Sequence, residues 1–208
     1  RPTMATFLSN HDIFAGRRLW DQLQGDEQRY KLAAAAYLLQ PGTPYIYYGE
    51  EVGQAGIPGL PGDQPLRGPM SWTADARTGG FTTGQPFRPV APNVATHNAQ
   101  AQARDPGSIL NFYRAMLGLR NGLPSVARGR FEHGLADGLV LGFQRTLGRE
   151  RTLVLINFGD SEATVSVPGL RPGQRLRAAW PRGGASLKAA ESTPVTVPPR
   201  QLRVYVAR

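Results

Sequence analysis

The 208-residue sequence has no cysteine, only two lysines among its 24 basic residues, three histidines and no long apolar run. Without cysteine there is no disulfide framework, no thiolate nucleophile and no Cys-based zinc site, and nothing reports the redox character of its compartment. The longest apolar stretches, such as Leu32 to Leu39, fall well short of the roughly 18 to 20 residues that cross a bilayer and are bounded by Gln or Pro. No membrane-spanning helix and no membrane partner are expected. A leader is also missing: the chain opens at Arg1 and enters an apolar segment within a few residues, so it reads as a piece of a longer polypeptide whose localisation is not legible.

What is present is ordinary globular composition, 40% hydrophobic and 19% charged, which excludes disorder and collagen-like repetition. The net charge of +9 is uneven: residues 1–122 carry 11 basic against 9 acidic side chains, and residues 123–208 carry 13 against 6. A positive field favours nucleic acid, but the arginines stand singly among apolar residues, as at Arg128, Arg130, Arg145 and Arg151. Solvent-facing strand positions account for them, and no nucleic-acid partner is expected.

Thr3 to Leu8 is a short apolar run ending in Ser9-Asn10-His11-Asp12, the profile of a buried strand followed by a polar loop. From Asp26 to Leu39 the apolar spacing of Tyr30, Ala33, Ala34, Tyr37 and Leu38 predicts an amphipathic helix, with Asp26 and Glu27 at its start and Pro41-Gly42 at its end. Tyr45 to Tyr48 reads as a second buried strand, closed by Gly49-Glu50-Glu51. Strand, helix and strand joined closely indicate a parallel α/β unit, in which function gathers at the C-terminal strand ends. The Asn10-His11-Asp12 and Glu50-Glu51 clusters therefore fall on the same face of the sheet.

Residues 53–106 hold 8 Gly and 8 Pro with little periodicity, a long loop in which Trp72, Phe81 and Phe87 argue for some packing. A helix from Ser108 to Gly122 follows, and the Gly122/Pro124 exit marks a domain boundary. Beyond it the pattern alternates through 139–143, 152–158, 163–167, 175–180, 194–197 and 202–206, which predicts an antiparallel β-sandwich.

A His-Asp pair alone is compatible with metal ligation, acid/base work or hydrogen bonding within a loop. Its place after a buried parallel strand favours chemistry, with Asp12 facing substrate. Glu50 and Glu51 could line a cleft or pair with a loop arginine, for which Arg67 is the natural partner. Phe14, Trp20, Tyr48 and Trp72 are candidate sugar-stacking aromatics, although such residues near a barrel rim more often anchor loops.

The wider string is more specific. Phe7-Leu8-Ser9-Asn10-His11-Asp12, then Pro41-Gly42-Thr43-Pro44-Tyr45-Ile46-Tyr47-Tyr48-Gly49-Glu50-Glu51, then Arg67-Gly68-Pro69-Met70-Ser71-Trp72 resembles the α-amylase family of glycoside hydrolases, family 13. Asp105-Pro106-Gly107-Ser108, the helix ending Leu119-Arg120, and Thr152 to Phe158 resemble that family's last barrel helix and C-terminal domain.

The resemblance implies an α/β plus all-β chain: residues 1–122 as the C-terminal part of a (β/α)8 TIM barrel with strands seven and eight, and residues 123–208 as an antiparallel Greek-key β-sandwich. It implies a retaining glycoside hydrolase of α-amylase or α-glucosidase type acting on α-glucan or malto-oligosaccharide. Asp12 is then the third, transition-state-stabilising carboxylate, with His11 and Asn10 as substrate-binding neighbours. The nucleophilic Asp and acid/base Glu, and any calcium site, would lie in the absent N-terminal barrel portion; no cofactor or metal is expected in this chain, and the fragment alone is expected to be inactive. Where many relatives place an arginine soon after the His-Asp pair, Ile13-Phe14-Ala15-Gly16 precede Arg17 and Arg18, which leaves the substrate preference of that loop open. A different class of function, a stand-alone carbohydrate-binding or interaction module, would need neither the Asn10-His11-Asp12 loop nor a parallel βαβ unit.

Overall fold

The computed structural model describes residues 4–190 and 192–208, so the Thr3 end of the first expected strand lies outside the described residues. The chain forms two compact units, one comprising residues up to Tyr37 together with Gly42–Ala115, the other Leu38–Pro41 with Met116–Arg208.

In the first unit, β1 (Ala5–Thr6) pairs in parallel with β2 (Thr43–Pro44). Between them run two helices, α1 (Leu19–Gln22) and α2 (Glu27–Leu38). Asp26 caps α2, its Oδ1 accepting from the amides of Gln28 and Arg29 at 3.0 Å each. Burial extends beyond the expected stripe, because Leu32 and Ala35 are enclosed as well as Tyr30, Ala34 and Tyr37.

The two strands are shorter and far less covered than the sequence predicts. Met4, Phe7 and Tyr45 are exposed, since β1 has only β2 beside it and a two-stranded pair cannot bury both its faces. The Tyr45 amide extends the ladder by donating to Thr6 O at 2.8 Å, but the chain then turns through Gly49, in the left-handed region at φ +83°, into a 3-10 turn at Glu50–Val52 instead of continuing as a strand.

The 53–106 segment is held by Ala55, Ile57, Leu66, Met70, Ala91 and Val94, while Trp72, Phe81 and Phe87 are exposed, contrary to expectation. It also contains α3 (Ala99–Arg104), capped by Asn98, whose side chain accepts from the Ala101 amide. The helix α4 (Ile109–Gly122) begins where Ser108 Oγ accepts from the Asn111 amide at 3.2 Å. The two compact units part inside α4, between Ala115 and Met116. Within the second unit, Arg120 Nη1 donates to the carbonyls of Leu38 and Gln40 at 2.7 and 2.9 Å.

The second unit adds α5 (Pro124–Arg128) and eight strands: β3 (Arg130–Asp137), β4 (Val140–Leu147), β5 (Glu150–Asn157), β6 (Ala163–Val167), β7 (Arg175–Trp180), β8 (Leu187–Lys188), β9 (Thr193–Val197) and β10 (Leu202–Ala207). Six form one antiparallel sheet in the order β3-β4-β5-β10-β7-β8, and β6 pairs with β9. Strands β6 and β9 alternate as period-two patterning requires: Val165, Val167, Val195 and Val197 join Val140, Leu153, Leu155 and Leu176 in a common core, while Thr164 and Thr196 meet across the outer face at 2.8 Å. Arg145 is not solvent-facing: it is 1% exposed, donating to Leu39 O at 3.2 Å and Gly129 O at 2.8 Å. Arg128 lies on α5 and not on a strand.

Candidate active site

The Asn10-His11-Asp12 loop leaves β1 with its polar groups accessible. Asn10 Oδ1 accepts from the Asp12 amide at 2.8 Å, a local turn that fixes the loop's exit. The Asp12 side chain is 36% exposed and its Oδ1 lies 3.3 Å from His11 Nε2. Arg67 completes the group: Nε donates to His11 O at 2.9 Å, and Nη2 donates to Asp12 Oδ1 at 3.2 Å and to Asp63 Oδ2 at 2.7 Å. Asp63 Oδ1 in turn accepts from the Ile13 amide at 2.7 Å. One guanidinium thus spans two carboxylates and pins both sides of the Asp12 loop.

This corrects the expected partnership of Arg67 with Glu50 or Glu51. Glu50 is 1% exposed and receives three hydroxyls, Ser9 Oγ at 2.9 Å, Tyr37 OH at 2.7 Å and Tyr113 OH at 2.9 Å, while Tyr30 OH donates to its backbone carbonyl at 2.7 Å. Burial pushes the Glu50 carboxyl above its usual range, against the three hydroxyl bonds; the same burial and the neighbouring Glu50 push the Tyr37 hydroxyl up. So enclosed a carboxyl cannot reach a sugar. What it does is tie Ser9, past the end of β1, to the turn that follows β2. Glu51 is raised by burial too, partly offset by backbone amides and Arg18, and it faces a cavity.

That cavity, about 490 Å³, is lined by Tyr48, Glu51, Arg67, Trp72, Phe81 and Phe87 among others. A second, of about 540 Å³, has Ile13, Arg17 and Asp21 in its wall. Asp12 lines neither; its partner Arg67 belongs to the first and its neighbour Ile13 to the second. Of the suspected aromatics, Tyr48 and Trp72 face the first cavity. Trp20 is spent on His97, with ring centroids 4.0 Å apart, and Phe14 is exposed and lines neither cavity. Of the two arginines in the loop after His11-Asp12, Arg18 is buried: it donates to the carbonyls of Tyr48 and Leu66 and lies 4.4 Å from the Tyr47 ring centroid. Asp63 is the member of the cluster not found from sequence; it stands four residues before Arg67, across the 3-10 turn Gln64–Leu66.

Among the described residues no group of three or more His, Asp or Glu side chains could hold a metal ion, and no helix is long and apolar enough to cross a membrane.

A family model described as alpha amylase, catalytic domain, matches residues 2–129. The chain belongs to the alpha-amylase family. Among its relatives is a probable alpha-glucosidase of Rhizobium meliloti (strain 1021), 32% identical over 178 residues, a match covering 77% of this chain and 32% of that protein. An oligo-1,6-glucosidase of Parageobacillus thermoglucosidasius is 28% identical over 202 residues, covering 78% and 35%. In structure the chain is similar to a mutant isomaltulose synthase of Erwinia rhapontici NX5 in complex with its natural substrate sucrose, with a TM-score of 0.78, 25% identity, and coverage of 97% of this chain and 42% of that one. The family's solved members that it matches are TIM-barrel enzymes. The chain spans about a third of the length of these curated relatives.

Proposed function

We propose that this chain supplies one end of a retaining α-glycosidase barrel and that Asp12 is its transition-state-stabilising carboxylate. The observation that carries the reading is the Asp12–Arg67–Asp63 cluster: a partly exposed carboxylate held at the end of a parallel strand, in the part of the chain that the family model matches. Residues 1–122 would be the barrel part, strands seven and eight, and residues 123–208 a Greek-key β-sandwich.

Retaining cleavage needs an attacking carboxylate about 5 Å from a protonated carboxyl that gives its proton to the leaving oxygen. Both would come from the remaining N-terminal portion of the barrel, so the 208-residue chain alone is inactive. Asp12 breaks no bond. Its carboxylate accepts hydroxyls of the sugar undergoing cleavage, and those bonds tighten as the ring flattens toward an oxocarbenium ion, which lowers the barrier rather than merely improving binding. His11, 63% exposed, donates to the same sugar. Arg67 keeps the Asp12 carboxylate from rotating away between turnovers and borders the aromatic cavity in which a second sugar unit would rest. An α-glucoside or malto-oligosaccharide is the substrate class; the relatives named above are a probable alpha-glucosidase, an oligo-1,6-glucosidase and an isomaltulose synthase whose natural substrate is sucrose.

The test is turnover of maltose, isomaltose and starch by the complete barrel enzyme with Asp12→Asn beside it. A fall in kcat of about a hundredfold or more is expected, with little change in unfolding temperature. Unchanged turnover would remove the assignment. Titrating the chain alone with malto-oligosaccharides separates this reading from a stand-alone binding module: weak, unsaturable binding supports the former and saturable affinity the latter.

A further inference from the structure

We infer that the second unit carries a phosphate-binding site, separate from the Asp12 cluster and independent of the reading above. A cavity of about 300 Å³ is lined by Arg149, Arg151, Arg171 and Arg208, with Thr146, Gln174 and one acidic side chain, Glu150; no apolar side chain borders it. Three pieces of chain meet there. Arg149 stands at the tip of the two-residue turn between β4 and β5, which Gly148 permits by taking φ +58°. Arg171 belongs to the connection from β6 to β7, and Arg208 follows β10.

The charge balance points to an anion. Glu150 is committed elsewhere: its Oε1 accepts both the Ser125 amide and hydroxyl at 2.9 Å, and its Oε2 receives Arg208 Nε at 3.1 Å. Arg151 donates to the neutral carbonyl of Gly169. The guanidinium groups of Arg149 and Arg171 have no partner among the described residues. Four guanidinium groups against one acidic side chain give the lining a positive excess; Arg149, Arg171 and Arg208 are exposed, so the field is strongest at low ionic strength, where an anion between the arms relieves it. The fork geometry of guanidinium matches the oxygens of a tetrahedral dianion, while a monovalent ion would neutralise less and bridge fewer arms. With about 30 Å³ per water, the space takes a phosphate group and part of the molecule that bears it. No aromatic lines the hollow, which argues against a stacked nucleic-acid base.

Calorimetric titration of the intact 208-residue chain at low ionic strength tests this, with inorganic phosphate, glucose 6-phosphate and glucose as titrants. Saturable binding of a single phosphate group is expected and none of glucose. Tighter binding of the sugar phosphate assigns a phosphorylated sugar as the natural ligand, equal binding assigns free phosphate, and either supports the site. The double variant Arg149→Ala with Arg171→Ala should weaken binding by about tenfold or more without changing the unliganded unfolding temperature. The charge-matched pair Arg77→Ala with Arg104→Ala, in the first unit, should leave affinity unchanged. No saturable binding, binding unaffected by the first pair, equal loss in both pairs, or equal binding of glucose would each overturn the proposal. Malto-oligosaccharide titration is blind to this cavity, so its failure and that of the Asp12 reading are told apart.

Discussion

The Ser9 hydroxyl donates to the buried Glu50 carboxyl at 2.9 Å, and Asp12 follows only three residues later. Through that bond, the loop proposed to touch sugar is tied to a carboxyl that itself touches none. Glu50 also accepts from Tyr37 on α2 and Tyr113 on α4, so one side chain fastens two helices and a strand end.

Removing the hub should be costly. Glu50→Ala leaves three hydroxyls without an acceptor in a site that water does not reach, and a loss of about 2 to 4 kcal/mol is expected in urea unfolding. Glu50→Gln keeps an acceptor and should lose clearly less. A change below about 0.5 kcal/mol in the alanine variant would show that the hydroxyls find other partners.

The same carboxyl sets a pH dependence. Burial raises it in the folded chain above the ordinary value of 4.5, so the folded state holds its proton where the unfolded state has released it. Its contribution is therefore full below pH 4.5 and is lost as pH rises through the folded value. Because Glu50→Gln cannot ionise, the variant should gain on the parent chain as pH climbs above 4.5. Parallel unfolding curves across that range would contradict the assignment.

The two long helices were legible in the sequence because Asp26 and Ser108 announce their starts and the apolar spacing persists over several turns. Strands β6, β7, β9 and β10 were equally legible from alternation. The edge strand β3 was not, since Phe131, Glu132, His133 and Gly134 face a setting too exposed to impose a period. At the site, the motif singled out Asp12 and His11 as candidates, but the partners of Arg67 depend on the turn that brings Asp63 within reach of the Ile13 amide. Arg145 misled for a related reason: charge suggests water, whereas backbone carbonyls can take its place.

Arg67→Ala tests position against stability. Its bonds to Asp12 and Asp63 are more than a third exposed, so unfolding should change by less than about 1 kcal/mol. In the complete enzyme kcat should fall more than KM rises, and Arg67→Lys should restore only part of it, because a single ammonium cannot span both carboxylates and the His11 carbonyl. Full rescue by lysine would reduce the role of Arg67 to its charge.

Arg145 makes the opposite prediction. Burial, with Arg120 nearby, pulls its guanidinium down to about 10, yet it remains charged at neutral pH and is held by carbonyls alone. Arg145→Met keeps much of the volume but strands the carbonyls of Leu39 and Gly129. Destabilisation of about 2 to 3 kcal/mol is expected from chemical denaturation, and a neutral result would mean that those carbonyls are reached by water.

His97 supplies a switch on the acid side. Its ring lies against Trp20, Thr96 Oγ1 sits 2.9 Å from Nδ1, and burial pushes it below 6.5 despite the attraction of Glu27. A depressed histidine stabilises the fold above the unfolded value of 6.5, and that contribution is lost as pH falls through the folded one. NMR titration should find the His97 ring still neutral at pH 6.5, and His97→Gln should flatten the loss of stability on acidification below that point. If the His97 resonances instead move with a midpoint at or above 6.5, the Glu27 pair governs the ring, and the stability should run the other way with pH.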